Sequence, residues 1–346
     1  MNNDILFQAL VVRETADGFS RQVENRTIAD LPAGDVLIQV RYSSLNYKDA
    51  LSANGNRGVT RTYPHTPGID ALGQVVESSD PAFQPDDWVI AGGHDLGMNT
   101  DGGFGQYVRV PAQWVLPLSS AVDAQTAMVL GTTGFTAALS LHKLESAGLR
   151  PGMGDVLVTG ATGGVGSMAV ALLAKAGYHV VAATGKLDQA PFLQKLGAAE
   201  VIERQELETG SEKALLKQRW VAVLDTVGGP ILANAIKSTV ANGWVTTCGN
   251  VASGDLPITV YPFILRGVTL LGIDAANASQ EIRAQLLKKL LTTWCIDLPT
   301  DLTTVVELSD LPTQIDRSLN GQQVGRVVID LWPDLTTQKS APNAQK

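Results

Sequence analysis

Residues 155 to 176, DVLVTGATGGVGSMAVALLAKA, constrain the fold more than any other stretch. Val156, Leu157 and Val158 form a short apolar run, as expected of a parallel strand covered on both faces. The run leads into Gly160-Ala161-Thr162-Gly163-Gly164-Val165-Gly166, and an apolar, helix-forming segment follows. The last six residues fit A-x-G-x-x-G, with Ala161 at the first glycine position of the dinucleotide fingerprint. Glycines there let a backbone turn sharply, approach a pyrophosphate closely and pack a helix on a strand. The helix N-terminus directs free N–H groups and about half a positive charge at a bound anion. No Gly-Lys-Ser/Thr closes the run, which excludes a Walker phosphate loop.

The next strand, His179 to Ala183, addresses which dinucleotide fits. A free ribose 2′-hydroxyl is usually met by an acid at this strand's end, but here Thr184-Gly185-Lys186 follows. A carboxylate would repel a 2′-phosphate, whereas a hydroxyl, an open backbone and an ammonium attract one, so NADPH is expected. Arg204, beyond the strand Glu200-Val201-Ile202, is placed to reach the same phosphate. The competing reading makes Lys186 and Arg204 ordinary solvated charges.

At 346 residues the chain has length for two domains with a core each. Its net charge of −8 and lack of a basic run argue against a nucleic-acid partner. Cys248 and Cys295 stand alone and far apart, so neither a disulfide framework nor a cysteine zinc site is expected, which suits a cytoplasmic protein. The N-terminus lacks a basic region followed by an apolar one, and no apolar run approaches the ~20 residues of a membrane span. The polar tail from Pro333 to Lys346 is expected to be loose.

Residues 5 to 115 read as short strands bounded by Gly, Pro, Asn or Asp: 6–13, 35–43, 71–77, 87–91 and 106–111. That is the pattern of a partly open all-β domain. Residues 46–54 suit a short rim helix, and glycine-rich residues 92–103 a mobile loop. From about 124 helices and strands alternate. A helix near 124–129 runs into GTTGFTA at 131–137, a helix start where a second phosphate could rest. Helices at 190–196, 211–217 and 230–240 alternate with strands at 199–202, 221–225, 243–247 and 268–273. Repeated βα units of this length predict a doubly wound parallel sheet. An amphipathic helix at 279–294 is expected to pack its apolar face into a core, and a last strand at 325–331 to rejoin the first domain.

This order resembles the medium-chain dehydrogenase/reductase superfamily. SSLNYKDAL, PGIDALGQVV, GHDLGMNTDGGFGQYVRVPA, GTTGFTAA, TGATGGVG and YPFILRGVTLLGIDA are similar to the acrylyl-CoA reductase family, also known as YhdH/AcuI-type quinone oxidoreductases. The likeness runs almost to residue 331. It implies a GroES-like partly open β-barrel catalytic domain, 1–123 completed by 278–346, plus a Rossmann doubly wound parallel sheet at 124–277. Where zinc members carry a ligand cysteine and a Gly-His-Glu, this chain has Asn46 and Gly68-Ile69-Asp70. Its four histidines are scattered, so a zinc-free member is expected, which points toward reduction of an activated double bond.

Such a reduction places hydride on the β-carbon of an α,β-unsaturated thioester. The site must donate hydrogen bonds to the developing enolate and a proton to the α-carbon. Asn46, orienting the carbonyl, and Tyr47, stabilising the oxyanion or delivering the proton, are the candidate catalytic residues. The competing roles are a helix cap for Asn46 and packing for Tyr47. Asp49 and Asp70 read as structural carboxylates. The resemblance carries phosphate contacts onto Gly163, Gly164, Val165 and Gly166, 2′-phosphate contacts onto Thr184, Lys186 and Arg204, and nicotinamide contacts onto Thr132, Gly249 and Asn250. It also implies a homodimer through strand 268–273. Arg57, Arg61, Arg266 and Arg326 are the cations available for CoA phosphates. The substrate classes left open are an acyl-CoA, converting acrylyl-CoA to propanoyl-CoA, or a quinone or enone. A non-enzymatic NADPH-binding protein is the third alternative.

Overall fold

The structure is a computed structural model and describes residues 4–210 and 212–333. The chain divides into two units, one holding the described residues up to Thr132 and from Thr303 onward, the other Thr133–Leu302. The first begins with β1 (Leu6–Thr15), paired antiparallel with β2 (Gly18–Thr27). Nothing in GFSRQVENRT announces a strand, and β1 supplies the buried side chains of the pair. Then come β3 (Val36–Leu45), α1 (Tyr47–Ala53), β4 (Asp70–Ser78), β5 (Trp88–Gly92), β6 (Tyr107–Val110) and β7 (Val115–Pro117). The expected strands and rim helix of this region all form, each end within two residues of its expected place. β2 and β7 are additions. Val36, Ile38 and Val40 of β3 and Ala71 and Val75 of β4 alternate inward to build the core.

The loop at 92–103 corrects the expectation of mobility. Leu96 is fully buried, and Gly97 N–H donates to Thr100 O (2.8 Å), Gly102 N–H to Thr66 O (2.7 Å) and Gly103 N–H to Gly68 O (2.8 Å). His65 is buried against the loop, its Nε2 3.0 Å from Gly97 O, and burial lowers its pKa. His94 stacks on Trp114 at 5.4 Å. Neither ring is a solvated bystander.

The helix α2 (Ala124–Ala147) is kinked at Gly131, where φ 40° and ψ −149° are open only to glycine. Beyond it lie β8 (Asp155–Val158), α3 (Gly164–Lys175), β9 (His179–Thr184), α4 (Ala190–Lys195), β10 (Glu200–Glu203), β11 (Trp220–Asp225), α5 (Gly229–Lys237), β12 (Thr239–Thr247), α6 (Tyr261–Arg266), β13 (Thr269–Gly272) and α7 (Gln280–Leu291). Six parallel strands stand in the order β10-β9-β8-β11-β12-β13. The direction of winding reverses between β8 and β11, the switch point at which open α/β sheets bind ligands. Leu157, Val181, Val223 and Val245 share a core with Ile231, Leu232 and Ile236 of α5.

The helix expected at 211–217 does not form: residues 212–215 are turn and bend, 216 and 217 are irregular, and Ser211 lies outside the described residues, as does the tail from 334. Leu216 N–H donates to Lys237 O (3.0 Å) and Leu216 O accepts from Arg266 Nη2 (2.7 Å), so tertiary partners hold the backbone groups a helix would use. The domain limits also differ from the expected 123/124 and 277/278, since α7 belongs with the parallel sheet. Arg283 of α7 explains this. It stacks over Phe135 at 5.0 Å and ties down the carbonyls of Ala275, Ala276 and Ala278.

The chain then forms β14 (Thr303–Glu307), α8 (Leu311–Leu319) and β15 (Arg326–Asp330). β15 pairs antiparallel with β3, Val327 opposite Leu45, giving the order β14-β15-β3-β4-β5-β7 with β6 also on β3. The last strand thus rejoins the first unit as expected. Among the described residues no helix is long and apolar enough to cross a membrane.

Candidate functional site

In the parallel sheet the loops after β8, β9, β11 and β12 leave one edge. Gly160, at φ 60°, turns the chain after β8, and a Cβ there would collide with Thr226. A Cβ at Gly166 would collide with the Gly160 carbonyl, so the third glycine is what lets α3 sit on the turn. Gly163 N–H donates to Gly160 O at 3.0 Å; it shapes the turn, and its donor is engaged there. The N–H groups of Gly164, Val165 and Gly166 open α3 and have no acceptor within the helix, a cradle suited to a diphosphate.

Asp225 organises this edge, a role its place at the end of the apolar run WVAVLD hints at. Its carboxylate accepts from Thr159 Oγ1 (2.7 Å), Val227 N (3.3 Å), Gly228 N (3.0 Å) and Thr247 Oγ1 (3.1 Å). It thereby ties together the ends of β8, β11 and β12. Burial raises its pKa. Gly249 packs on Thr226, where a Cβ would strike the carbonyl oxygen, and exposed Asn250 follows it. Cys248, donating its thiol to Asp225 O at 3.3 Å, is pushed by burial up to about 12, which makes it an inert thiol.

Thr184, Lys186 and Arg204 come together at the ends of β9 and β10. Thr184 Oγ1 accepts from Lys186 N at 3.0 Å and stands 3.2 Å from Thr162 Oγ1. A Cβ on Gly185 would lie 3.0 Å from Cδ and Nε of Arg204, so that side chain rests over the bare backbone. Its pairing with Glu208, 3.8 Å apart and largely exposed, is too weak to hold it there alone.

The first unit holds a buried polar cluster below α1. Asn46 caps the helix, and its N–H donates to Asp49 Oδ2 at 2.8 Å. Its side-chain Nδ2 faces Ser44 O (3.2 Å), Asp49 Oδ2 (3.1 Å) and Asp70 Oδ2 (3.0 Å), while Oδ1 accepts from Arg326 Nη1 (3.3 Å). The expectation that Asn46 amide hydrogens orient a substrate carbonyl is corrected by this geometry, because they point at two carboxylates and a backbone carbonyl. Asn46 is a positioning residue. Tyr47, the first residue of the helix it caps, is half-buried, and its hydroxyl makes no hydrogen bond among the described residues.

Asp49 is wholly buried and also accepts from Ile69 N at 2.8 Å. Burial, with Asp70's charge adding to it, pushes its pKa up to about 7 against those hydrogen bonds. Asp70 accepts from Ser44 Oγ (2.6 Å), Thr132 N (3.0 Å) and Thr132 Oγ1 (2.7 Å). Thr132, expected at the nicotinamide, is therefore anchored on Asp70 through both its N–H and its hydroxyl. Gly131 makes room for this contact, since a Cβ there would press 3.0 Å from Asp70 Oδ2.

Arg326 supplies the cluster's cation and was not legible as such. Fully buried, it donates to Val129 O (3.0 Å) and Ser44 Oγ (2.7 Å), and burial lowers its pKa to about 10. That removes Arg326 from the cations open to CoA phosphates. Arg266 drops out too, donating to Lys237 O (2.7 Å) and Leu216 O (2.7 Å). Arg57 pairs with Glu14 at 2.6 Å.

A doubly wound sheet with a phosphate cradle at its switch point, in a chain with a separate β-unit, defines the class of two-domain dinucleotide enzymes. Two family models match in tandem: the alcohol dehydrogenase GroES-like domain over residues 32–120 and the zinc-binding dehydrogenase over residues 164–292. The chain is 41% identical to acrylyl-CoA reductase AcuI of Ruegeria pomeroyi over 94% of its length and 99% of the relative's. It is similar to the crystal structure of the YhdH oxidoreductase from Salmonella enterica in complex with NADP (39% identity, TM-score 0.89, 94% of this chain and 99% of that one). The Bacillus subtilis YhfP structure with NAD bound is likewise similar (44%, TM-score 0.90, 95% and 100%). The chain belongs to the medium-chain dehydrogenase/reductase family, whose members are nicotinamide-dependent oxidoreductases.

One of those models is named for zinc, and the residues here do not fit a zinc ion. Asn46 offers an amide already hydrogen-bonded, Asp70 is saturated with donors, and the Arg326 guanidinium stands against both Ser44 and Asn46. Among the described residues no group of three or more His, Cys, Asp or Glu is placed to hold a metal.

Proposed function

We propose that this enzyme is an NADPH-dependent reductase of activated C=C bonds that converts acrylyl-CoA to propanoyl-CoA. The observation that carries it is Tyr47, a half-buried phenol without a hydrogen-bond partner among the described residues, on a helix whose cap is fixed from below. NADPH, when bound, supplies the hydride that adds to the substrate's β-carbon. As negative charge moves to the thioester oxygen, the Tyr47 hydroxyl donates to it and lowers the barrier. The α-carbon then takes the Tyr47 phenolic proton, and the tyrosinate left behind is reprotonated from solvent before the next turnover. Asn46 holds the first turn in place through Asp49 and Asp70, which lie too deep to reach substrate.

Cofactor preference rests on this chain's own residues, since one similar structure carries NADP and another NAD. Lys186 and Arg204 supply two cations where an acid would favour NAD, and buried Thr184 fixes the Lys186 backbone. The similarity to an acrylyl-CoA reductase supports the substrate. A homodimer through strand 268–273 is supported by β13, an edge strand of the parallel sheet, and by the exposed Ile264 (67%) and Leu265 (64%) of the preceding helix α6.

The test is a steady-state assay following NADPH absorbance with acrylyl-CoA, free acrylate and a small quinone. A strong preference for acrylyl-CoA is expected. Reduction of the quinone as well or better would replace the thioester with the quinone reading, and no turnover despite tight NADPH binding would make this a binding protein. Tyr47→Phe is expected to lower kcat by about 10² to 10⁴ with NADPH affinity unchanged; a kcat within twofold of the parent would remove Tyr47 from the chemistry.

A further inference from the structure

The geometry points to Lys48 and Arg61 as the pair of cations that receives the phosphates of a CoA substrate. It rests on the acyl-CoA reading above and adds the residues that would separate an acyl-CoA from a quinone. Lys48 follows Tyr47 in the first turn of α1, and its half-buried ammonium has a single contact among the described residues, the thioether Sδ of Met98 at 4.0 Å. Arg61 is exposed, and its backbone N–H is held by the side chain of Asn99 at 3.1 Å. Met98 and Asn99 are consecutive, so one stretch of the 92–103 loop touches both residues, Lys48 at its ammonium and Arg61 at its backbone. The guanidinium of Arg61 has no ion-pair or hydrogen-bond partner among the described residues.

Neither of the loop's own acids forms an ion pair with Lys48 or Arg61 among the described residues. Asp95 accepts from Asn99 Nδ2 (2.9 Å) and Thr100 Oγ1 (3.1 Å). Asp101 is paired with Arg26 at 2.7 Å and accepts from Thr66 N at 3.0 Å. Arg57, the nearest other basic residue in the chain, faces Glu14 and donates to Arg61 O at 2.7 Å. In a chain of net charge −8, Lys48, next in sequence to the proposed catalytic tyrosine, and Arg61 are two cations without an ion-pair partner among the described residues, open to an anion that a ligand brings. A lysine and an arginine bind phosphate oxygens by charge-assisted hydrogen bonds, the arginine two at a time. CoA carries a diphosphate and a 3′-phosphate; a quinone or a short synthetic thioester carries none.

The experiment compares acrylyl-CoA with acrylyl-N-acetylcysteamine, the same thioester without phosphates, in the parent enzyme and in Lys48→Met, Arg61→Gln and the double variant. The ratio of kcat/KM for the CoA ester to that for the short ester is expected to fall at least tenfold in the double variant. The fall lies in KM and shrinks as salt is raised. An unchanged ratio would overturn the assignment. If the parent turns over neither thioester the functional reading fails, and equilibrium binding of propanoyl-CoA to the NADP-loaded protein then decides on the pair. Binding at least tenfold weaker in the double variant upholds it, and equal binding removes it.

Discussion

Asp70 and Asp225 are both buried carboxylates at strand ends, and they keep different company. Asp225 accepts from two threonine hydroxyls and two backbone N–H groups and meets no cation among the described residues, so it works as a knot between three loops. Asp70 sits in a charged cluster with a second carboxylate, Asp49, an amide wedged between the two, and a guanidinium. Beside this knot the N–H groups that open α3 have no acceptor within the helix, suited to a ligand that brings its own charge. The charged cluster turns nearly all its polar groups inward and leaves Tyr47 and Lys48 uncommitted. One region offers backbone groups, the other a few side chains above a hydrogen-bonded base.

That contrast can be broken most forcefully at Arg326. Arg326→Met strands Asp49 and Asp70 without a buried counter-charge and is expected to cost about 3–5 kcal/mol in urea unfolding; a loss under about 1 kcal/mol would mean that the cluster is not held by charge. The next effect is pH. Asp49's folded pKa, about 7, lies above its ordinary value, so the native state holds the extra proton between about pH 4 and 7 and stability falls as pH rises through that window. The loss from this group is at most about 4 kcal/mol. Asp49→Asn should flatten the slope between about pH 4 and 7, and identical slopes in parent and variant would show that Asp49 ionises normally.

At the other region, Lys186→Glu is expected to weaken NADPH binding by about 100-fold, while NADH binding changes less than about threefold. An equal effect on both would show that Lys186 does not meet the 2′-phosphate. Asp225→Asn should be the mildest, about 1–2 kcal/mol, because an amide keeps one acceptor for the neutral donors. If it proves as damaging as Arg326→Met, the two aspartates are not different in kind.

The parallel sheet and its phosphate turn were legible because their signals are local, as glycines at fixed offsets with a strand before and a helix after. The polar cluster was not. Arg326 and Asn46 meet across 280 residues of sequence, and a lone arginine in a chain carries no address. Asn46 and Asp49 were noticed as residues, but nothing in NYKD reveals that the amide faces inward. Strand β2 escaped because its side chains do not alternate, and the expected helix near 211 failed because Lys237 and Arg266 claim the backbone of Leu216. Thr184, Lys186 and Arg204 could be grouped in advance because adjacent parallel strands bring their ends together whatever lies between.

Gly166 and Gly185 lie at the same edge of the sheet but differ in how freely they can change. Any side chain at 166 drives into the Gly160 carbonyl, so that position is closed to selection and to engineering alike. At 185 a new side chain meets only the flexible Arg204, which can swing aside. One base change turns a glycine codon into an aspartate codon, and Gly185→Asp would put an acid beside Arg204 without disturbing the phosphate turn. Preference between the two nicotinamide dinucleotides is therefore open to revision at a position where the phosphate turn itself is not disturbed.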